Sequence, residues 1–184
     1  VYFKFNATDY YNKTIRPGFN FTINKDDVSV LYGGSGNNTP MNRSETILLK
    51  LLINDTDNMS LVLDGTNGSI WITFNDSNFD QGLANTTVSG YLSRNFTANC
   101  SYSVGPEYWY GGTYGSNSYY KNNVSINYTM IIYGWLNNSV LKPNGTEDAY
   151  YYSNQNVTVE VNVKDYLENE NASCGYNVTD ANIT

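Results

Sequence analysis

Asparagine carries the chemistry of this chain. Twenty of its 29 asparagines stand in Asn-x-Ser/Thr triplets: Asn6, Asn12, Asn20, Asn37, Asn42, Asn54, Asn58, Asn67, Asn75, Asn85, Asn95, Asn99, Asn123, Asn127, Asn137, Asn144, Asn156, Asn171, Asn177 and Asn182. With 33 serines and threonines in 184 residues, chance placement would give only about 5. The side-chain amide of such a triplet accepts an N-linked glycan, and each one used must lie on accessible backbone and carry a bulky, solvated sugar. Spread over the whole length, the triplets leave little surface bare, and a catalytic cleft fits poorly beneath them. The pattern points to an extracellular, structural glycoprotein and not to an enzyme.

Other chemistry is thinly represented. The chain has no histidine, which excludes Ser-His-Asp, Cys-His and His-metal arrangements. Its 17 Asp and Glu leave a glycosidase-type carboxylate pair open, but no spacing nominates one. Asp55-Thr56-Asp57-Asn58 and Asp26-Asp27 offer oxygen ligands of the kind calcium takes. They lack the glycine and terminal bidentate acid of a dedicated loop, and read as Asx-rich turns. The reading therefore calls for no metal and no cofactor beyond covalent glycans. In an exported chain Cys100 and Cys174 favour one intrachain disulfide over free thiols or bridges between chains. Closing that loop of about 74 residues contributes roughly 4 kcal/mol. The aromatic run Tyr108-Trp109-Tyr110-Gly111-Gly112-Thr113-Tyr114, continuing to Tyr119-Tyr120, reads as a loop. It would fold over one end of the domain, contact a neighbouring subunit, or stack on sugar rings. Tyr150-Tyr151-Tyr152 is of the same kind.

These groups must be positioned by strands. Hydrophobic residues at 40% with only 15% charged exclude wholesale disorder, and the Tyr, Val, Ile and Thr usage favours β over helix. A net charge of −7 offers nucleic acid no basic face. Few charges suit a protein exposed to strong acid; equally, sugar replaces charge as the solubilising surface. The start at Val1 suits a chain that has lost a signal peptide, and no stretch approaches the ~20 apolar residues of a membrane span. Short β segments punctuated by turns run from Phe19 to the region of Tyr176. The cleanest alternations are Val124-Ile126-Tyr128-Met130-Ile132 and Val157-Val159-Val161-Val163. Thr46 to Ile53 is apolar on both faces and reads as a central strand, and Asp64-Gly65-Thr66-Asn67-Gly68 as a hairpin turn. Only Asp165 to Asn171 hints at a helical turn. Eight to eleven such strands predict an all-β fold, a single antiparallel two-sheet β-sandwich of Ig-like or pilin-like type, over residues 17–184.

Residues 1–16 stand apart. Val1, Phe3 and Phe5 alternate with Tyr2, Lys4 and Asn6, a strand with one apolar face, and a polar stretch with acceptors at Asn6 and Asn12 follows, closed by Pro17-Gly18. A strand of this kind either folds back into its own sheet or is donated to the sandwich of the next molecule. Donation head to tail does not close on itself and builds an open filament. An alternating N-terminal strand, one β-sandwich, saturation with glycan acceptors and no pilin helix together resemble the archaeal thread filament subunit. The resemblance covers the whole chain by architecture and composition, without a signature motif. It implies a surface fibre of identical subunits, each N-terminal strand completing the next sandwich, and a role in adhesion, biofilm and cell contact. By apolar alternation, Ile126, Tyr128, Met130, Val157, Val159 and Val161 are candidate walls of the acceptor groove. The competing readings are a carbohydrate-binding adhesin, a surface-layer-associated glycoprotein domain, a viral coat glycoprotein and a secreted hydrolase.

Overall fold

Leu49, Leu51 and Ile53 are wholly buried, while Leu48, Lys50 and Leu52 on the other face of the same strand are exposed or half-buried. That period-2 division organises the fold. A computed structural model describes residues 2–3, 6–8, 13–15, 19–20, 24–75, 77–142, 153–154, 156, 158–166 and 173–177. In chain order the strands are β1 (Tyr2–Phe3), β2 (Asn6–Thr8), β3 (Lys13–Ile15), β4 (Phe19–Asn20), β5 (Val28–Ser35), β6 (Thr39–Asn42), β7 (Thr46–Asp55), β8 (Asn67–Asn75) and β9 (Asn78–Phe79). There follow β10 (Leu83–Thr86), β11 (Tyr91–Thr97), β12 (Gly105–Thr113), β13 (Asn123–Val124), β14 (Tyr128–Tyr133), β15 (Trp135–Lys142), β16 (Glu160–Tyr166) and β17 (Ser173–Asn177). No helix occurs among the described residues.

The protein is all-β, and its body is a two-sheet sandwich. One layer is three-stranded, β11-β7-β5, with the predicted central strand β7 in the middle. The other runs β10-β8-β12-β14-β6, with β13 on β12 and β9 on β8. Leu49, Leu51, Ile53, Leu92 and Phe96 of the first layer meet Ile70, Ile72, Trp109, Met130 and Ile132 of the second in one core. Among the described residues the strand pairings are antiparallel except β6 on β14, which is parallel, as is the isolated bridge Asp26↔Tyr120.

Several expectations are corrected. The Tyr- and Gly-rich run is no loop: Gly105–Thr113 is the central strand β12, with Trp109 wholly buried and its indole N–H donating to the Gly36 carbonyl at 2.8 Å. Its glycines are demanded by packing, since a Cβ on Gly111 would lie 2.6 Å from the Ser69 carbonyl oxygen. The long alternation from Val124 to Ile132 is broken between β13 and β14, because the register against β12 shifts by one residue between Gly112↔Val124 and Trp109↔Tyr128. The predicted hairpin turn at Asp64–Gly68 leads into β8, but on its other side Leu61 makes only an isolated bridge to Asn54. Of the stretch 165–171, read as a helical turn, Asp165 and Tyr166 end the strand β16 and the rest lies outside the described residues.

Two pieces lie beyond the sandwich. At the N-terminus β1 pairs with β4 through Tyr2↔Asn20 and Phe3↔Phe19, and β2 pairs with β3 within the stretch read as a linker. Thr8, Thr14 and Ile15 supply β-branched residues to that inner ladder. At the C-terminal side β15-β16-β17 form a separate three-stranded sheet.

Candidate functional site

The acceptor asparagines follow the outside of the sandwich. Asn58, Asn67, Asn75, Asn85, Asn95, Asn99, Asn123, Asn127, Asn137 and Asn156 are exposed, and Asn37, Asn42 and Asn54 are half-buried. Asn6, Asn20 and Asn177 fall on strands. Asn12, Asn144, Asn171 and Asn182 lie outside the described residues, as do Val1, Phe5, Val157 and the Tyr150–Tyr152 run. On the sandwich strands the acceptors that alternate with core aliphatics face water, while Asn37, Asn58, Asn99, Asn127 and Asn156 lie between strands.

The amides are not equivalent. Nδ2 of Asn123 donates to the Val28 carbonyl at 2.6 Å, Asn85 to Ser93 at 2.8 Å and Asn67 to Ser116 at 3.0 Å. Asn42 donates to the Glu45 carboxylate, which also accepts the Asn42 backbone N–H. That backbone bond and then the side-chain bond hold the Glu45 carboxyl below its usual range. Asn54 and Asn95 make no such bond among the described residues.

The C-terminal sheet is fastened to the sandwich at two points. Cys100, beyond β11, is bonded to Cys174 on β17, with Cα atoms 5.0 Å apart. Arg43, at the end of β6, is wholly buried, pairs with Asp165 of β16 and donates to the Tyr102 carbonyl at 2.9 Å. Asp165 is only 4% exposed. Register places Leu136 opposite Asp165, Asn138 opposite Val163 and Val140 opposite Val161. Leu136, Val140, Val161 and Val163 thus share the face from which Asp165 enters the sandwich. Yet Leu136 is 60% and Val140 57% exposed, and Val161 and Val163 are half-buried. The acceptor Asn137 lies on the opposite face. Among the described residues β15 and β17 each pair on one side only, so the sheet presents an uncovered apolar face and two open edges.

Of the six residues proposed for a groove Val157 lies outside the described residues, and the other five are not brought together. Tyr128 and Met130 are buried in the sandwich core, and Ile126, 75% exposed, sits in the break between β13 and β14. Val161 belongs to the uncovered C-terminal face, and Val159, nearly half exposed, precedes β16. Sequence reasoning missed Leu136 and Val140, because Asn137-Asn138-Ser139 interrupts the apolar period of β15.

Two further clusters complete the surface. Carboxylate oxygens of Asp26, Asp55 and Asp57 lie within 4.8 Å of one another, uniting both stretches singled out for oxygen ligands. Asp55 is buried and accepts the Asp57 N–H at 3.0 Å as an Asx turn does. Desolvation, then the charges of Asp55, Asp57 and Asp27, raise the Asp26 carboxyl. Asp27 pairs with Lys121 at 2.9 Å. On the outer face of the larger sheet Trp71 stacks on Tyr110 at 5.0 Å, while Tyr114 and Phe79 meet that pair edge-on at 5.2 and 4.8 Å. The rings largely cover one another.

No known protein family and no curated protein matches the chain. Among solved structures it is similar to the CARDB domain of a Pyrococcus furiosus protein, determined in complex with di-metal ions. The two are 10% identical, with 62% of this chain and 95% of that one covered and a TM-score of 0.37. A likeness of that degree carries no argument about function.

Proposed function

We propose that this protein is the structural subunit of an extracellular, heavily N-glycosylated filament of the archaeal thread kind, built head to tail by strand donation and serving adhesion, cell contact and biofilm. The uncovered apolar face of the C-terminal sheet is the observation that carries the reading. Leu136, Val140, Val161 and Val163 leave aliphatic surface in water, each side chain forfeiting part of the roughly 1.5–3 kcal/mol that full burial contributes. A sheet in that condition gains by receiving another apolar strand. The N-terminal segment is the donor that the chain itself offers. Its outer ladder, β1 on β4, has only two residue pairs to release. The partners are identical subunits in an open polymer, with other cells or surfaces at the fibre's flanks. The subunit needs no catalytic residue, metal or cofactor, and works outside the cell.

The second reading, a carbohydrate-binding adhesin, draws on Trp71, Tyr110, Tyr114 and Phe79, of which Tyr114 is the most open to a sugar. Electron microscopy of the native protein beside a version lacking residues 1–12 separates the two. Strand donation expects filaments from the first and monomers from the second. Monomers from both discard the filament and transfer the question to glycan binding at the aromatic cluster.

A further inference from the structure

The outer face of the three-stranded layer poses a problem of its own. Register places Leu31, Leu52 and Tyr91 in one row across β5, β7 and β11, and Leu48 opposite Asn95. Leu31 and Leu48 are nearly half exposed, and Leu52 and Tyr91 partly so. These aliphatic patches, separated on β7 by Lys50, whose ammonium lies 3.7 Å from the centroid of the Tyr91 ring, look into solvent with no protein layer over them among the described residues. Asn54 and Asn95 stand on the same face. Asn95 lies directly across from Leu48, at the cross-strand distance of roughly 5 Å between Cβ atoms. Asn54 is two residues beyond Leu52 and so on the same side of β7. Both begin acceptor triplets, Asn54-Asp55-Thr56 and Asn95-Phe96-Thr97. Neither amide is spent on the fold, unlike those of Asn67, Asn85 and Asn123.

We infer that N-linked sugars at Asn54 and Asn95 are the missing outer cover of this sheet, their C–H faces lying on Leu31, Leu52 and Leu48. The inference rests on the glycoprotein reading and adds to it a structural task for two particular sites. The modification draws on a lipid-phosphate-linked oligosaccharide. The amide nitrogen forms a bond to the sugar's C1, the C1–O bond to the lipid phosphate breaks, and the amide loses one proton as the phosphate departs. The remaining amide N–H and the hydroxyls of the first sugar stay at the rim, in water. The apolar sugar face exchanges water for aliphatic side chains. Each acceptor thus shields the aliphatic residue beside it, and the sheet needs no third protein layer.

The test begins with glycopeptide mass spectrometry of the protein from the cells that make it, followed by anilinonaphthalene sulfonate binding to variants made in those cells. Sugar is expected at both Asn54 and Asn95. The double variants Asn54→Gln/Asn95→Gln and Thr56→Val/Thr97→Val, which abolish the same triplets in different ways, should each bind the dye several-fold more strongly. Adding Leu31→Ser and Leu48→Ser should return the signal to that of the parent. Sugar at other triplets but neither of these overturns the inference and leaves the glycoprotein reading standing. Sugar at no triplet overturns both. Sugar at both sites whose removal leaves dye binding unchanged overturns the covering role alone.

Discussion

Arg43 and Asp165 lie 122 positions apart in the chain and meet as a buried ion pair where the C-terminal sheet joins the sandwich. The guanidinium reaches across from the end of β6, and its second nitrogen holds the Tyr102 carbonyl. Such a pair adds little net stability over apolar packing, but losing one partner strands the other charge. Its main effect is positional: Asp165 can enter the sandwich only when β16 is in register, which fixes the direction of the apolar face formed by Leu136, Val140, Val161 and Val163.

Asp165→Asn should therefore destabilise the C-terminal sheet by about 3 kcal/mol. Hydrogen exchange resolves where the loss falls. Faster exchange is expected across β15 and β16 with β7 and β8 unchanged; uniform acceleration would instead make the pair part of one global core.

Strand donation predicts two assembly-dead variants and one control. Phe3→Asp in the donor and Val161→Asp in the acceptor each place a carboxylate in what becomes a buried contact, at a cost of several kcal/mol. Both should leave circular dichroism unchanged and abolish filaments in electron micrographs. Ile126→Asp, at an exposed break, should assemble normally. Filaments from Val161→Asp would remove the C-terminal face from the interface.

Acid separates two aspartates. Burial alone would raise the Asp80 carboxyl, but the Arg94 hydrogen bond and charge and the N–H groups of Ile72 and Gly82 outweigh it, and the carboxyl lies below its usual range. The Asp80–Arg94 pair, at 2.7 Å, thus contributes stability that is fully present above the ordinary carboxylate pKa of about 4. That contribution is lost only as pH falls through the depressed value. Asp26 has the opposite sign. Its raised carboxyl costs stability in full above the raised value, and the cost shrinks as pH falls through that value and is gone below the ordinary pKa. Urea midpoints from neutral to strongly acid pH should show Asp80→Asn destabilised at neutral pH and converging on the parent in acid. Asp26→Asn should be stabilised at neutral pH and converge likewise.

Replacing both cysteines by serine removes the closure of a 74-residue loop. On the chain-entropy account this costs roughly 4 kcal/mol, a fall in Tm of about 10 °C for a chain of this size. A thermal scan in the presence and absence of reductant checks it: reductant should lower the parent to the variant and leave the variant unmoved.

The stretch Thr46 to Ile53 is legible as an unbroken run apolar on both faces, and it falls on β7, the middle strand of its layer. The strand β12 was hidden because Gly111 and Gly112 look like turn residues, while their actual cause is a neighbouring backbone too close to admit a Cβ. The strand β15 was hidden for the converse reason: its Asn-Asn-Ser centre has no strand character until β16 lies beside it. The acid cluster of Asp26, Asp55 and Asp57 was legible as two stretches but not as one place, since joining them depends on the β5–β7 register. Alternation alone points to the groove residues, and it cannot tell an apolar face turned toward the core, as at Met130, from one left open, as at Val140.

The Cys100–Cys174 bond also sets how the molecule bears tension. A pull on the C-terminal sheet reaches the sandwich along two covalent routes, the main chain through Gly134 and the sulfur bridge to the segment after β11. Hydrogen-bonded ladders slide or unzip under load, whereas these two routes share it without rupture of any ladder between them. In a fibre joined through that sheet, extension would be taken first by the contacts between subunits, and each sandwich would stay folded while its neighbours are drawn apart.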